Sequence, residues 1–178
     1  GKAYGSVTDV EMMIGLTGSS GNDRLGGVYF LTSNSPAITG GLGTDTAVVD
    51  LSADNLGSFS GGLGVGLIYN NSTGYSLTLT GVEVLEFTGN ATGTGYVTGI
   101  VGGDGADILI GLDGNDVFTG GGGNDTITGG KGDDSLFGGT GANLIEGGEG
   151  YDIASADFSD QSGAVVAVNL GVASTRYD

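Results

Sequence analysis

The feature that most constrains this chain is a nine-residue period running without a gap from Gly102 to Ser155. Its blocks read GGDGADILI, GLDGNDVFT, GGGGNDTIT, GGKGDDSLF, GGTGANLIE and GGEGYDIAS. Positions one and four are glycine in every block, and position two is glycine in all but the second, where Leu112 stands. Position six reads Asp107, Asp116, Asp125, Asp134, Asn143 and Asp152. Position eight reads Leu109, Phe118, Ile127, Leu136, Ile145 and Ala154. A flexible Gly/Ser linker would not fix an apolar residue at every ninth place. A disordered acidic tract would lack periodic Leu, Ile and Phe. Collagen needs glycine at every third residue and abundant proline, whereas Pro36 is the one proline of this chain. Merely solvated acids would not require glycine at fixed neighbouring places.

Composition narrows the chemistry. Acids outnumber bases 21 to 4, giving a net charge of -17. That balance disfavours nucleic acid and anionic membranes as partners and favours cations. With no cysteine and no histidine, disulfides and the usual zinc and copper sites are excluded. Oxygen donors remain, and these suit a hard cation. The chain holds 41 glycines and only 7% aromatic residues, which predicts a thin structure with many tight turns rather than a thick core. No apolar run approaches the roughly 18 residues of a membrane span.

The pattern G-G-x-G-x-D-x-U-x, with U a large apolar residue, resembles the RTX calcium-binding nonapeptide family. The resemblance implies an all-β parallel β-roll, a β-solenoid, with several calcium ions as cofactors, at least three. Weaker copies stand at GSSGNDRLG, 18–26, and GGLGTDTAV, 40–48.

The residues themselves say why such a period folds. Positions seven to nine read as a short strand that points position eight inward. Positions one to six must reverse the chain, and glycine supplies the positive φ angles needed. With two nonapeptides per turn, loops 18 residues apart stack about one strand spacing, ~4.8 Å, from each other. Two bare carboxylates at ~5 Å repel by about 0.8 kcal/mol in water-like dielectric, and more when buried. A calcium ion, which takes six to eight oxygens, reverses that sign. The 18-residue rule pairs Asp107 with Asp125, Asp116 with Asp134, and Asp134 with Asp152, and adds Asp125 with Asn143 as a weaker pair. The resemblance implies that carbonyls complete each shell. One loop supplies positions two and four, such as Gly103 and Gly105, and its neighbour positions one and three, such as Gly120 and Gly122. The same carry-over assigns Gly114, Gly121, Gly123 and Gly129, and also Gly130, Gly132, Gly138 and Gly147. Asp23 and Asp45, 22 residues apart, are further candidates if a bulge at Ser33-Asn34-Ser35-Pro36 absorbs four residues.

The expected organisation is a lead-in over 1–16, degenerate coils over 17–48, a β-rich insert over 49–101, the roll over 102–155, and a trailing strand over 156–178 that opens a second insert. Within the insert, VGLIY at 65–69 and YSLTLT at 75–80 read as an antiparallel hairpin. VEVLEFT at 82–88 reads as a third strand, with Glu83 and Glu86 as solvated or edge-strand charges. GGLGTDTAVVDLS from Gly40 and GGEGYDIASADFS from Gly147 share a pattern offset by 107 residues. That echo predicts an excerpt of a longer repetitive protein.

The functional expectation is a calcium-binding module of a bacterial secreted or cell-surface protein, folding outside the cell. The resemblance implies a one-step secretion machinery as partner. The alternative is a structural repeat of a calcium-stiffened adhesin or surface-layer protein, stacked on neighbouring repeats. A polysaccharide-binding module attached to a secreted enzyme ranks below both. No catalytic function is expected, since a Ser-His-Asp triad and an HExxH site both need histidine.

Overall fold

The computed structural model describes residues 15–28, 37–52, 59–63, 66–70, 76–89, 97–155 and 167–169. Each nonapeptide contributes one strand, starting just after the position-six acid. These are β10 (Ile108–Asp113), β11 (Val117–Gly121), β12 (Thr126–Lys131), β13 (Ser135–Gly139), β14 (Leu144–Glu149) and β15 (Ile153–Ser155). Strands two blocks apart pair in parallel and in strict register, with Leu109 on Ile127 on Ile145, and Phe118 on Leu136 on Ala154. Successive strands therefore alternate between two facing sheets, and 18 residues make one coil. Among the described residues there is no α-helix. The architecture is an all-β parallel β-solenoid of about six turns.

The period of two along each strand sets what faces inward. Positions six, eight and the following position one all point into the roll. Leu109, Phe118, Ile127, Leu136 and Ile145 are fully buried, each contributing about 2 kcal/mol of apolar burial. Position-one glycines such as Gly111 and Gly120 lie on the same inner row and are buried as well. The two sheets meet across this thin core, where the rings of Phe87 and Phe118 make an edge contact at 6.1 Å.

The N-terminal region is built into the same two sheets. It supplies β1 (Leu16–Thr17), β2 (Arg24–Val28), β3 (Ala37–Thr39), β4 (Thr46–Asp50), β5 (Phe59–Gly62), β6 (Leu67–Asn70), β7 (Ser76–Thr80), β8 (Val84–Thr88) and β9 (Val97–Gly103). β16 (Ala167–Asn169) adds to β14 at the far end. One sheet runs β1-β3-β7-β6-β5-β9-β11-β13-β15, the other β16-β14-β12-β10-β8-β4-β2. β6 and β7 pair antiparallel, as their alternating sequences predict, and their connection lies outside the described residues. A further strand, β5, pairs antiparallel with β6 and parallel with β9. Its sequence, FSGG, carries no alternation that would announce it. β5, β6 and β7 thus form a meander that sits in the row between β3 and β9. β8 does not join that meander: it lies between β4 and β10 in the opposite sheet. Leu85 and Phe87 face inward there, matching Ala47 and Val49 on one side, while Phe87 alone matches Leu109 on the other.

Candidate metal centre

The loop edges of the roll are held by side chains as well as by the strand ladders. At position six, Asp107, Asp125, Asp134 and Asp152 turn Oδ1 toward the preceding coil. Asp125 Oδ1 accepts the Asp107 N–H at 2.9 Å, Asp134 that of Asp116 at 2.8 Å, and Asp152 that of Asp134 at 3.0 Å. Asn143 Oδ1 accepts the Asp125 N–H at 2.9 Å. The structure therefore brings together all four pairs that the 18-residue spacing names. They meet carboxylate to amide, however, rather than carboxylate to carboxylate. The same contact joins Asp45 Oδ1 to the Asp23 N–H at 2.9 Å, and Arg24 faces Thr46 in the paired strands. Asp23 and Asp45 thus sit on stacked loops. The bulge invoked for them, at Ser33–Pro36, lies outside the described residues.

A second ladder runs beside the first in the opposite direction, and sequence reasoning missed it. At position five, Asn115 Oδ1 accepts the Asp133 N–H at 3.0 Å, Asn124 that of Ala142 at 2.8 Å, and Asp133 that of Tyr151 at 2.9 Å. Asn22 does the same for Thr44 in the N-terminal coils. The signal was present in the recurring Asn-Asp pairs at 22–23, 115–116 and 124–125. The turn leaves two consecutive N–H groups pointing along the roll axis, and such groups need acceptors. Short carbonyl side chains on the adjacent coils supply them.

The glycines follow from this stacking. At positions two and four, Gly121, Gly123, Gly130, Gly132, Gly139 and Gly141 have positive φ. A Cβ there would overlap the carbonyl of the coil before, as between Gly121 and the oxygen of Gly103, or Gly123 and that of Gly105. At position one φ is ordinary, and the reason differs. A Cβ on Gly102, Gly111, Gly120, Gly129 or Gly147 would collide with the position-six carboxylate of its own repeat. Leu112, the exception at position two, carries a φ of 81° that side-chain-bearing residues seldom adopt.

The second carboxylate oxygen of these acids is the unusual atom. Oδ2 of Asp45, Asp107, Asp125, Asp134 and Asp152 is buried without a hydrogen-bond partner. Asp116 occupies the equivalent position in its coil, with Oδ2 against Gly111. A Cβ on Gly102 would meet both Asp107 Oδ2 and the carbonyl oxygen of Gly120. Those two oxygens from successive coils therefore converge beside Gly102. Gly111 sees the same pairing with Gly129, and Gly120 with Gly138. Among the described residues no group of three or more Asp, Glu, His or Cys side chains converges. A cation at this edge would thus draw most of its oxygens from backbone carbonyls. Asn143 differs instructively: its Nδ2 donates to the Gly139 carbonyl at 3.2 Å, so no atom is left orphaned.

Electrostatics report the same strain. Burial pushes the Asp107 carboxyl up to about 7, helped by the charge of Asp125 and opposed by the N–H groups of Leu85 and Gly103. Burial raises Asp125 to about 6 against the Asp107 N–H. Asp134 rises to about 6, again by burial first, opposed by the Asp116 N–H and helped by Asp152 and Asp133. Buried carboxylates that lack a compensating cation behave in this way. Oxygen-only donors, orphaned anionic oxygens and facing carbonyls are the donor set a hard divalent ion takes.

Glu83 and Glu86, expected as solvated or edge-strand charges, both have partners. Arg24 Nε donates to Glu86 Oε1 at 3.1 Å across the sheet, and the same pair is joined through Nη2 and Oε2. Glu83 Oε2 accepts the Asp45 N–H at 2.9 Å. The folding of β4 against β8, 38 residues apart, creates both contacts, and no local spacing announces them.

No curated protein matches this chain. The family model for the RTX calcium-binding nonapeptide repeat matches it in four copies, over residues 100–127 and 119–154. The glycine, aspartate and apolar places of that segment are the ones the stacked coils demand, and residues 100–154 belong to the RTX calcium-binding nonapeptide repeat family.

Proposed function

We propose that the chain is a calcium-responsive module of a bacterial secreted or surface protein, unfolded at low calcium and folded on meeting millimolar calcium outside the cell. The observation that carries this reading is the row of buried Oδ2 atoms without partners at Asp107, Asp125, Asp134 and Asp152. A row of such atoms opposes folding until a cation arrives, because each costs about 1–3 kcal/mol or more. The ligands are the position-six side chains Asp107, Asp116, Asp125, Asp134, Asn143 and Asp152, with Asp23 and Asp45 in the irregular coils. Loop carbonyls complete the shells, Gly103 and Gly105 with Gly120 and Gly122 in the first pair of coils. Extracellular modules of modest affinity suit millimolar calcium. Circular dichroism tests this: β signal should rise steeply when calcium is added to chelated protein. Identical spectra in chelator and in calcium refute coupled folding.

A second reading, a repeat of a calcium-stiffened adhesin, is favoured by the 107-residue echo between the segments at Gly40 and Gly147. Export by a one-step secretion system, and stacking on neighbouring repeats, belong to these readings respectively. The full reading frame separates them. A catalytic domain beside the roll supports a secretion appendage, and many similar units support the adhesin.

A further inference from the structure

The Asp45 carboxylate lies outside the family match, yet its surroundings have the same construction as those of the acids in the regular roll. Asp45 is fully buried. Its Oδ1 accepts the Asp23 N–H, and its Oδ2 has no partner. A Cβ on Gly40 would collide with the Gly81 carbonyl and would lie 2.6 Å from Asp45 Oδ2. In the roll, the Asp107 carboxylate and the Gly120 carbonyl meet over Gly102 in the same way.

The coil that follows Asp45 has no GGxGxD loop. Only Gly81-Val82-Glu83 connects β7 to β8. Gly81 takes the place of the position-one glycine, since the Gly40 N–H bonds to the neighbouring Thr80 carbonyl at 2.9 Å. Glu83 takes the place of the position-six aspartate. Its Oε2 accepts the Asp45 N–H, while its own N–H and that of Val84 donate to the Asp45 carbonyl at 3.1 and 3.0 Å. The extra methylene of glutamate lets a shortened loop deliver a carboxylate to the same amide. The acid lies two residues before Leu85, matching the D-x-U spacing of the nonapeptide.

We propose that Asp45, Glu83 and the Gly81 carbonyl form an additional site for a hard divalent cation, calcium being the ion of that class at millimolar concentration outside cells. The ion clamps β4 to β8 across a 38-residue excursion and fixes the irregular coils to the regular roll. This inference rests on the calcium reading of the roll.

The test counts bound calcium by isothermal titration calorimetry on the full chain, comparing wild type, Glu83→Gln, Asp45→Asn and Asp125→Asn. Glutamine keeps an acceptor for the Asp45 N–H but removes the charge. Asparagine at 45 keeps the Asp23 contact, as Asn143 keeps that of Asp125. E83Q should lose one ion per chain, or bind it at least tenfold more weakly, with the calcium-induced β signal of the roll retained. D45N should lose that ion too, and the double variant should lose no more than D45N. An E83Q protein with wild-type ion count and affinity overturns the site. If E83Q does not fold, D45N with the wild-type count overturns it equally. Wild type that binds no calcium refutes the calcium reading itself. A loss in D125N without one in E83Q refutes only the extra site.

Discussion

Asp125 separates the two tasks of a position-six side chain, and Asn143 shows how to divide them. Oδ1 of Asp125 satisfies the buried Asp107 N–H, while Oδ2 is buried without a partner. At Asn143 the same amide contact persists, and Nδ2 reaches the Gly139 carbonyl. In Asp125→Asn the new Nδ2 should likewise reach the Gly121 carbonyl, removing one orphaned atom. Relieving such an atom is worth about 1–3 kcal/mol, so the metal-free variant should be more stable than wild type by roughly that amount. Asp125→Ala also removes the orphaned Oδ2 but orphans the Asp107 N–H, two effects of about 1–3 kcal/mol each that offset one another. In calcium the order changes. Wild type gains the linkage energy of its ion, about 2.7 kcal/mol at a hundredfold excess over Kd, and the asparagine variant loses that contribution. The expected ranking is Asn above both Asp and Ala in chelator, and both Asp and Asn above Ala in calcium. Urea titration followed by circular dichroism measures it in calcium. Titration with a stabilising osmolyte does so for the chelated protein if that is unfolded. Equal behaviour of the Asn and Ala variants in both conditions would refute the division of labour between the two oxygens.

Further outcomes follow from the same geometry. Asp107, Asp125 and Asp134 have carboxyls raised from the ordinary 3.8 to about 7, 6 and 6. The folded metal-free state therefore binds more protons than the unfolded one. The stability this brings is fully present below pH ~4 and is lost as pH rises through about 6 to 7. Chelated protein should show more β signal at pH 4.5 than at pH 7.5, and no difference would contradict the burial of these groups. Calcium affinity should move oppositely, falling as pH drops below about 7, measurable by titration at pH 5.5 and 7.5. Asp125→Ala should weaken the calcium response more than Asp104→Ala, because Asp104 is an exposed position-three residue; equal effects would undermine the assigned register. Gly123→Ala, at a φ of 103° and against the Gly105 carbonyl, should cost at least 1–2 kcal/mol. Gly21→Ala has open space around its Cβ and should be neutral or stabilising by up to about 1 kcal/mol. Thermal melts in calcium compare the two, and similar costs would mean that coil stacking does not dictate the glycines.

Much of the roll was legible because its contacts repeat at a fixed offset. A nine-residue period with glycine, acid and apolar places states the coil length, the inward row and the stacking of Asp107 on Asp125 before any coordinates are seen. The hairpin of β6 and β7 was legible for a similar reason, since alternation and a turn sequence are local signals. What the sequence could not state depends on contacts between distant segments. β5 is a strand because β6 and β9 flank it, and its own residues show no strand pattern. β8 belongs to the opposite sheet because Leu85 and Phe87 fill the inner row between Ala47 and Leu109. Glu83 meets the Asp45 amide only after that placement, and Glu86 meets Arg24 for the same reason. The direction of each carboxylate was also a tertiary matter. Spacing placed the acids one above another, but the turn's N–H groups decided which oxygen of Asp125, Asp134 and Asp152 is engaged and which is left without a partner.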